Sequence, residues 1–341
     1  MHGIGRTLRR LCAAAASAAL SAACGGDAPS PLTAPDQPAS VELALTNLRA
    51  LDPATEGSFE AWLVEGGRPV SLGRFAAAAA VTLPVSSKIS NGTELWITVE
   101  PPDDTGAGPS AQRLLRGAFR DGAADLSLAG AVTQGTLALR ADPGQFTMFT
   151  PSDNPLDGYP SNEESGVWLF NMAPRVTEQN DMWVRLTQLD PGWTYEGWMV
   201  RDIGQPNAIW LSYGKFTPDY TGAVNSRDDT GWGPFSGVVN FRTDGEEEFP
   251  GDDWIANPLG FPFPKDLTLP LDLRETTPAG VPRWTHVITI EPGFDRGEPI
   301  GSQRPFLLRP YQDPFGTGAP GDPRTITFHP EGLPSGRAQA R

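Results

Sequence analysis

The segment Ser58–Val64 reads SFEAWLV, and 136 residues later Thr194–Val200 reads TYEGWMV. The same short blocks surround both, in the same order. LTNL (45–48) matches LTQL (186–189), and Leu51-Asp52-Pro53 matches Leu189-Asp190-Pro191. Gly73-Arg74-Phe75 matches Gly214-Lys215-Phe216, and Ile97-Thr98-Val99-Glu100-Pro101 matches Ile288-Thr289-Ile290-Glu291-Pro292. Further on, Ser110, Gln112, Leu114 and Leu115 align with Ser302, Gln303, Leu307 and Leu308 after small shifts. Whatever fold satisfies one copy must therefore satisfy the other.

The blocks alternate at period two. Phe59, Ala61 and Leu63 share one face of an extended segment, and Glu60, Trp62 and Val64 share the other. Ile97 and Val99 face together, and Pro101 ends the ladder because it has no N–H to donate. Turn signals such as Gly66-Gly67, Asn91-Gly92 and Asp142-Pro143-Gly144 separate the strands, and 38 Gly and 35 Pro disfavour long helices. Half-apolar strands need a second layer. The expected fold is all-β: two tandem antiparallel β-sandwich-like domains, at residues 40–130 and 131–328, followed by a tail at 329–341. Trp62 and Trp198 read as core or sheet-face anchors. Glu60, Glu196, Glu100 and Glu291 read as solvent-facing, or as partners of Arg74 and Lys215.

The first 24 residues have a different character. Arg6, Arg9 and Arg10 form a basic region, and Leu11–Leu20 is apolar but too short to span a bilayer as a stable anchor. Small residues Ser21, Ala22 and Ala23 then precede Cys24. This resembles a bacterial lipoprotein signal (residues 1–23), with Leu20 one position earlier than the usual pattern, and it implies lipidation of Cys24. Ordinary cleavage near Ala23, giving a secreted protein, is the alternative. Either event leaves one cysteine in the mature chain, so no intramolecular disulfide can form. Residues 24–39, rich in Pro, Ala and Gly, read as a tether. The expected location is extracytoplasmic, on a bacterial membrane, held by N-terminal acyl chains. Beyond Leu20 no window is long and apolar enough to cross a membrane.

The (F/Y)E(A/G)W(L/M)V strand, the G(R/K)F turn and the I-T-(V/I)-E-P strand resemble the C-terminal, extracytoplasmic domain of anti-sigma-K factors, over about residues 40–120 and again about 165–310. The resemblance implies an all-β module outside the membrane with a sensing or binding role. In that family a cytoplasmic segment beyond a transmembrane helix holds the sigma factor.

The copies differ in length. Trp62 to Glu100 spans 38 residues, whereas Trp198 to Glu291 spans 93. The extra residues fall within 217–282, which hold twelve acids and four bases, net −8. Long insertions between strands commonly lie on the surface and carry function. Asp228, Asp229, Trp232, Asp252, Asp253 and Trp254 are accordingly the candidate ligand-binding residues, because carboxylates beside aromatics suit a cationic peptide or a glycan. A solvated loop pinned by its aromatics is the plainer alternative. A second acidic stretch, Asp153 to Glu164, departs from the EF-hand spacing, so Ca²⁺ stays a weak alternative and no cofactor is expected.

A net charge of −15 opposes nucleic-acid binding. His286 and His329 have no cysteine or histidine at metal-ligand spacing, and no G-x-S-x-G elbow or P-loop is present. No catalytic and no metal residues are assigned. The expectation is a membrane-tethered binding or sensing lipoprotein with an unidentified protein or glycan ligand. The alternatives are a structural envelope protein, a carboxylate-dependent hydrolase, and a regulator acting through a separate membrane partner.

Overall fold

A computed structural model describes residues 39–86, 88–150, 163–169, 185–217, 227–228, 242–243, 247–248, 250–257, 260, 262–294, 296–297 and 304–341. Its strands, in chain order, are β1 (Ala39–Thr46), β2 (Ser58–Glu65), β3 (Arg68–Phe75), β4 (Ala80–Val85), β5 (Glu94–Glu100), β6 (Arg113–Ala118), β7 (Ala123–Leu126), β8 (Gln145–Met148), β9 (Gly166–Trp168), β10 (Trp193–Arg201), β11 (Ile209–Thr217), β12 (Arg227–Asp228), β13 (Arg242–Thr243), β14 (Glu247–Glu248), β15 (Gly251–Asp253), β16 (Trp284–Pro292), β17 (Leu308–Pro314), β18 (Arg324–Thr325) and β19 (Ser335–Ala340). The described helices are two 3₁₀ turns, Glu163–Ser165 and Pro330–Gly332. The fold is all-β and its named pairings are antiparallel, as the alternation predicts.

Two sheets carry the repeated blocks, with orders β3-β2-β5-β6 and β12-β11-β10-β16-β17. Their registers correspond. Phe59 faces Phe75 and Tyr195 faces Phe216. Ala61 faces Ile97 and Gly197 faces Ile288. Each sheet has a bulge just before its tryptophan, at Ala61/Trp62 and Gly197/Trp198. The glycine of the G(R/K)F turn follows the bulge and takes positive φ, +107° at Gly73 and +113° at Gly214, a conformation that costs glycine little.

Each of these sheets has an apolar partner layer. In β1, Val41, Leu43 and Leu45 are buried at period two. Burying such side chains contributes about 1.5–3 kcal/mol apiece. They join Leu83 and Val85 of β4, Leu126 of β7 and Ala338 of β19 in one cluster with Phe59, Ala61, Leu95 and Ile97. A β15-β9-β8-β18 sheet supplies Phe146, Met148 and Val167 to the same cluster, alongside Tyr195, Met199 and Ile288. The arrangement is sandwich-like, and one hydrophobic core runs through both sets. Pro38–Arg341 forms a single compact unit.

Two departures from the sequence reading concern chain order. Residues 335–340, read above as tail, form β19, which inserts between β1 and β7. Part of the insertion at 217–282 is structural: β15 pairs with β9, and Trp254, Leu271 and Leu273 are buried in the common core. Leu271 N–H donates to the Trp254 carbonyl at 3.0 Å, and Leu273 N–H to Glu164 at 3.0 Å, so this segment is backbone-anchored.

Candidate functional site

Period two sends Glu60, Trp62, Glu196 and Trp198 to the sheet faces opposite the main core. There the two copies build the same chain of hydrogen bonds. Trp62 donates its indole N–H to Thr98 Oγ1 at 2.9 Å, Thr98 donates to Glu100, and the Glu100 carboxylate accepts the Ser110 backbone N–H at 3.1 Å. Trp198 donates to Thr289 at 2.9 Å, Thr289 to Glu291 at 2.5 Å, and Glu291 accepts the Phe306 N–H at 2.8 Å. Ser71 donates to Glu60, and Ser212 to Glu196 at 2.6 Å; each serine hydroxyl also accepts the N–H of the turn glycine, Gly73 or Gly214.

The four glutamates are buried, with Glu100 and Glu291 at 0% exposure, which corrects the solvent-facing expectation. Arg74 does pair with Glu60, at 3.2 Å. Strand periodicity assigns these side chains to the outer face, but the turns that follow the strands cover that face. Trp198, Val200 and Val287 form their own apolar cluster, with Ile203, Ala208 and Trp210 packed on it. Burial raises the pKa of Glu100. Burial, and next the Glu291 charge, push Glu196 up to about 8, and burial likewise raises Glu291. Glu196, titrating near 8, is thus protonated at neutral pH.

The charges continue where the start of the first copy meets the end of the second. Arg296, with its side chain 6% exposed, reaches Glu291 at 3.1 Å and Glu56 at 3.4 Å. Glu56 also takes a two-pronged contact from Arg49, at 2.5 and 2.7 Å. Burial alone would raise Glu56, but the hydrogen bonds from Arg49 and the Asp52 N–H, together with the two guanidinium charges, bring it below its ordinary value. Beside this cluster a cleft of about 570 Å³ opens, lined by Asn47, Arg49, Arg309, Gln312, His329 and Glu331 among others.

The other junction, from the end of the first copy to the start of the second, is closed. Arg113 lies over the Trp96 ring at 4.9 Å and pairs with Asp190 at 3.0 Å. Gln112 donates its side-chain amide to the Gly192 carbonyl at 3.0 Å, and the Trp193 indole donates to the Arg113 carbonyl at 3.1 Å.

The candidate ligand residues are placed as follows. Asp252 and Asp253 lie in β15 and Trp254 follows it; all three are 0% exposed and thus occupy core positions. Asp228 lies in the short strand β12. Cys24, Asp229 and Trp232 lie outside the described residues, as do Asp153–Asn162 of the acidic loop and Ser302 and Gln303. The structure puts Phe306 where the alignment had put Ser302, since Phe306 N–H and Ser110 N–H meet equivalent carboxylates. Likewise Leu115 faces Ile97 as Tyr311 faces Ile288. A constant offset of 196 over this strand makes Arg309 the counterpart of Arg113.

His286 is enclosed rather than poised. Its Nε2 meets the Tyr213 hydroxyl at 2.9 Å, and burial pushes its pKa down to about 3, so the ring is neutral.

Residues 9–112 match the family described as anti-sigma-K factor rskA, C-terminal. The matched range takes in the apolar stretch at 11–20 and ends just before β6, so it holds the first copy of the repeat and not the second. No curated protein matches the chain, and no solved structure does.

Proposed function

We propose that this chain is an extracytoplasmic, lipid-anchored recognition protein, with Cys24 as the acylated residue and two copies of an anti-sigma-K-like β module as its folded part. It binds or senses, and performs no chemistry. The observation that carries the duplication is the Trp–Thr–Glu chain. It recurs at Trp62–Thr98–Glu100 and Trp198–Thr289–Glu291 with equal indole distances, and the first set falls within the family match. The burial of its carboxylates and of His286 supports a binding role over a hydrolytic one, since a substrate has no route to them. The fusion of both copies in one compact unit supports a partner that reads the pair together.

The test is metabolic labelling with radioactive palmitate in a bacterial host, followed by membrane fractionation. The full chain is expected in the membrane fraction and labelled. Cys24→Ala is expected to lose label and release the protein. An unlabelled wild-type chain in the cytosol would overturn the anchoring. Proximity labelling from the anchored chain then reads partners; a profile identical to that of an unrelated lipoprotein of equal abundance would overturn the recognition role.

A further inference from the structure

Arg113 and Arg309 occupy equivalent positions, each with its guanidinium on an indole: Arg113 over Trp96 at 4.9 Å and Arg309 over Trp210 at 4.7 Å. Their carboxylate environments differ. Arg113 is satisfied by Asp190, from the Leu189-Asp190-Pro191 block that opens the second copy. Arg309 makes no ion pair and no side-chain hydrogen bond among the described residues. The corresponding Asp52 makes no ion pair with it; its side chain accepts the Ala54 N–H at 2.9 Å instead. The slot filled by a carboxylate at one junction is thus an open cleft of about 570 Å³ at the other, a size suited to a small ligand.

The cleft is built for an anion. Gln312 lines it as well, and its side-chain amide makes no hydrogen bond among the described residues, so it is a second available donor. Arg49 and Arg296 are engaged with Glu56 and Glu291, which leaves Arg309 as the guanidinium at this corner without a carboxylate partner among the described residues. Arg309 is solvent-exposed, and the neighbouring Arg49 charge adds to the positive potential that an incoming anion meets. Glu331, the carboxylate on the rim, is engaged by His329 Nδ1 at 2.9 Å. Stacking on Trp210 holds the guanidinium plane and leaves its N–H edge free, the geometry a carboxylate accepts two-pronged.

We propose that this cleft is a carboxylate-binding site, with Arg309 as anchor and Gln312 as second donor, and that Asp190 on Arg113 shows the mode of recognition. The proposal holds whether or not the chain is lipid-anchored, since the site lies wholly within the folded unit.

The experiment titrates the purified chain at constant ionic strength and follows binding by calorimetry and thermal unfolding. The probes are acetate, acetamide, and the blocked tetrapeptide Leu-Asp-Pro-Gly with its Asp→Asn form. Acetate or the Asp peptide is expected to saturate one site, with acetamide and the Asn peptide at least tenfold weaker. Arg309→Gln is expected to weaken binding at least tenfold while lowering the ligand-free Tm only slightly, because the stack on Trp210 is lost but no ion pair is. If that variant unfolds, Gln312→Ala gives the second reading, with an expected loss of severalfold. Preference for the peptide over acetate identifies a protein segment as the source of the carboxylate; equal binding identifies a small acid. Absence of saturation by both acids, or equal binding by wild type and both variants, overturns the site.

Discussion

The indole N–H of Trp198 meets the hydroxyl of Thr289 at 2.9 Å in a fully buried setting, and that hydroxyl in turn donates to Glu291. Thr289→Val removes the acceptor of one bond and the donor of the next while preserving shape. Leaving buried polar groups without partners costs about 1–3 kcal/mol. Urea unfolding is expected to show that loss, and Thr98→Val is expected to show a similar loss in the first copy. If one is neutral while the other is costly, the two chains are not energetic equivalents.

The protonation of Glu196 gives a second prediction. Its folded pKa of about 8 lies above its ordinary 4.5, so its contribution is full below 4.5 and is lost as pH rises toward 8. Glu291 acts in the same direction. His286, held near 3 against an ordinary 6.5, has the opposite sign: it costs stability as pH falls from 6.5 toward 3. Glu196→Gln is therefore expected to raise Tm over wild type at pH 8 and to leave it nearly unchanged at pH 4.5. A Tm difference independent of pH would exclude Glu196 as the titrating group.

Arg296 links carboxylates 235 residues apart in the chain, Glu56 and Glu291. Arg296→Met leaves both buried with less compensation, and breaking such a pair costs about 3–5 kcal/mol. Adding Glu291→Gln is expected to recover part of the loss, because the orphaned charge is gone. A single variant as stable as wild type in a denaturant titration would show that the bridge contributes nothing.

Gly197 explains the most visible difference between the two motifs. A Cβ there would lie 1.6 Å from the Tyr213 ring, so the glycine makes room for Tyr213 and for its bond to His286. In the first copy the same places hold Ala61, Leu72 and Leu95, an apolar set with a larger residue on the central strand. Gly197→Ala is expected to cost about 3 kcal/mol or more by overpacking. Combining it with Tyr213→Leu and His286→Leu is expected to restore most of the Tm, by recreating the first copy's solution. Failure of the triple variant alone to recover would mean the clash lies elsewhere.

Much of the fold is legible from the repeats. The alternation of Phe59 and Ala61 against Glu60 and Trp62 predicts which side meets the main core, and the structure agrees. What a strand pattern cannot state is what will cover the opposite side. Glu291 is buried by Arg296 and by the Phe306 backbone, after a turn without periodicity, so an acid that looks solvent-facing in isolation becomes enclosed. Asp252 and Asp253 mislead in the same way: a charge-rich insertion reads as surface, yet pairing with Gly166–Trp168 draws them inward. Arg309 has no visible counterpart in the sequence blocks alone. Lining up Ser302 with Ser110 hid the match to Arg113, and only hydrogen-bond register restores it.

The placement of Ser335–Ala340 bears on how this molecule comes to be made. Thr46 bonds to Ser335, 289 residues away, so the opening strand leaves the ribosome long before its neighbour exists. Until residues 335–340 are made, β1 and β7 lack the strand that joins them, and contacts of such long range slow folding. A nascent or clipped chain stopping short of residue 335 would display two unsatisfied backbone rows, inviting adhesion to other chains. The strand Ser335–Ala340 thus acts as a clasp that joins β1 to β7.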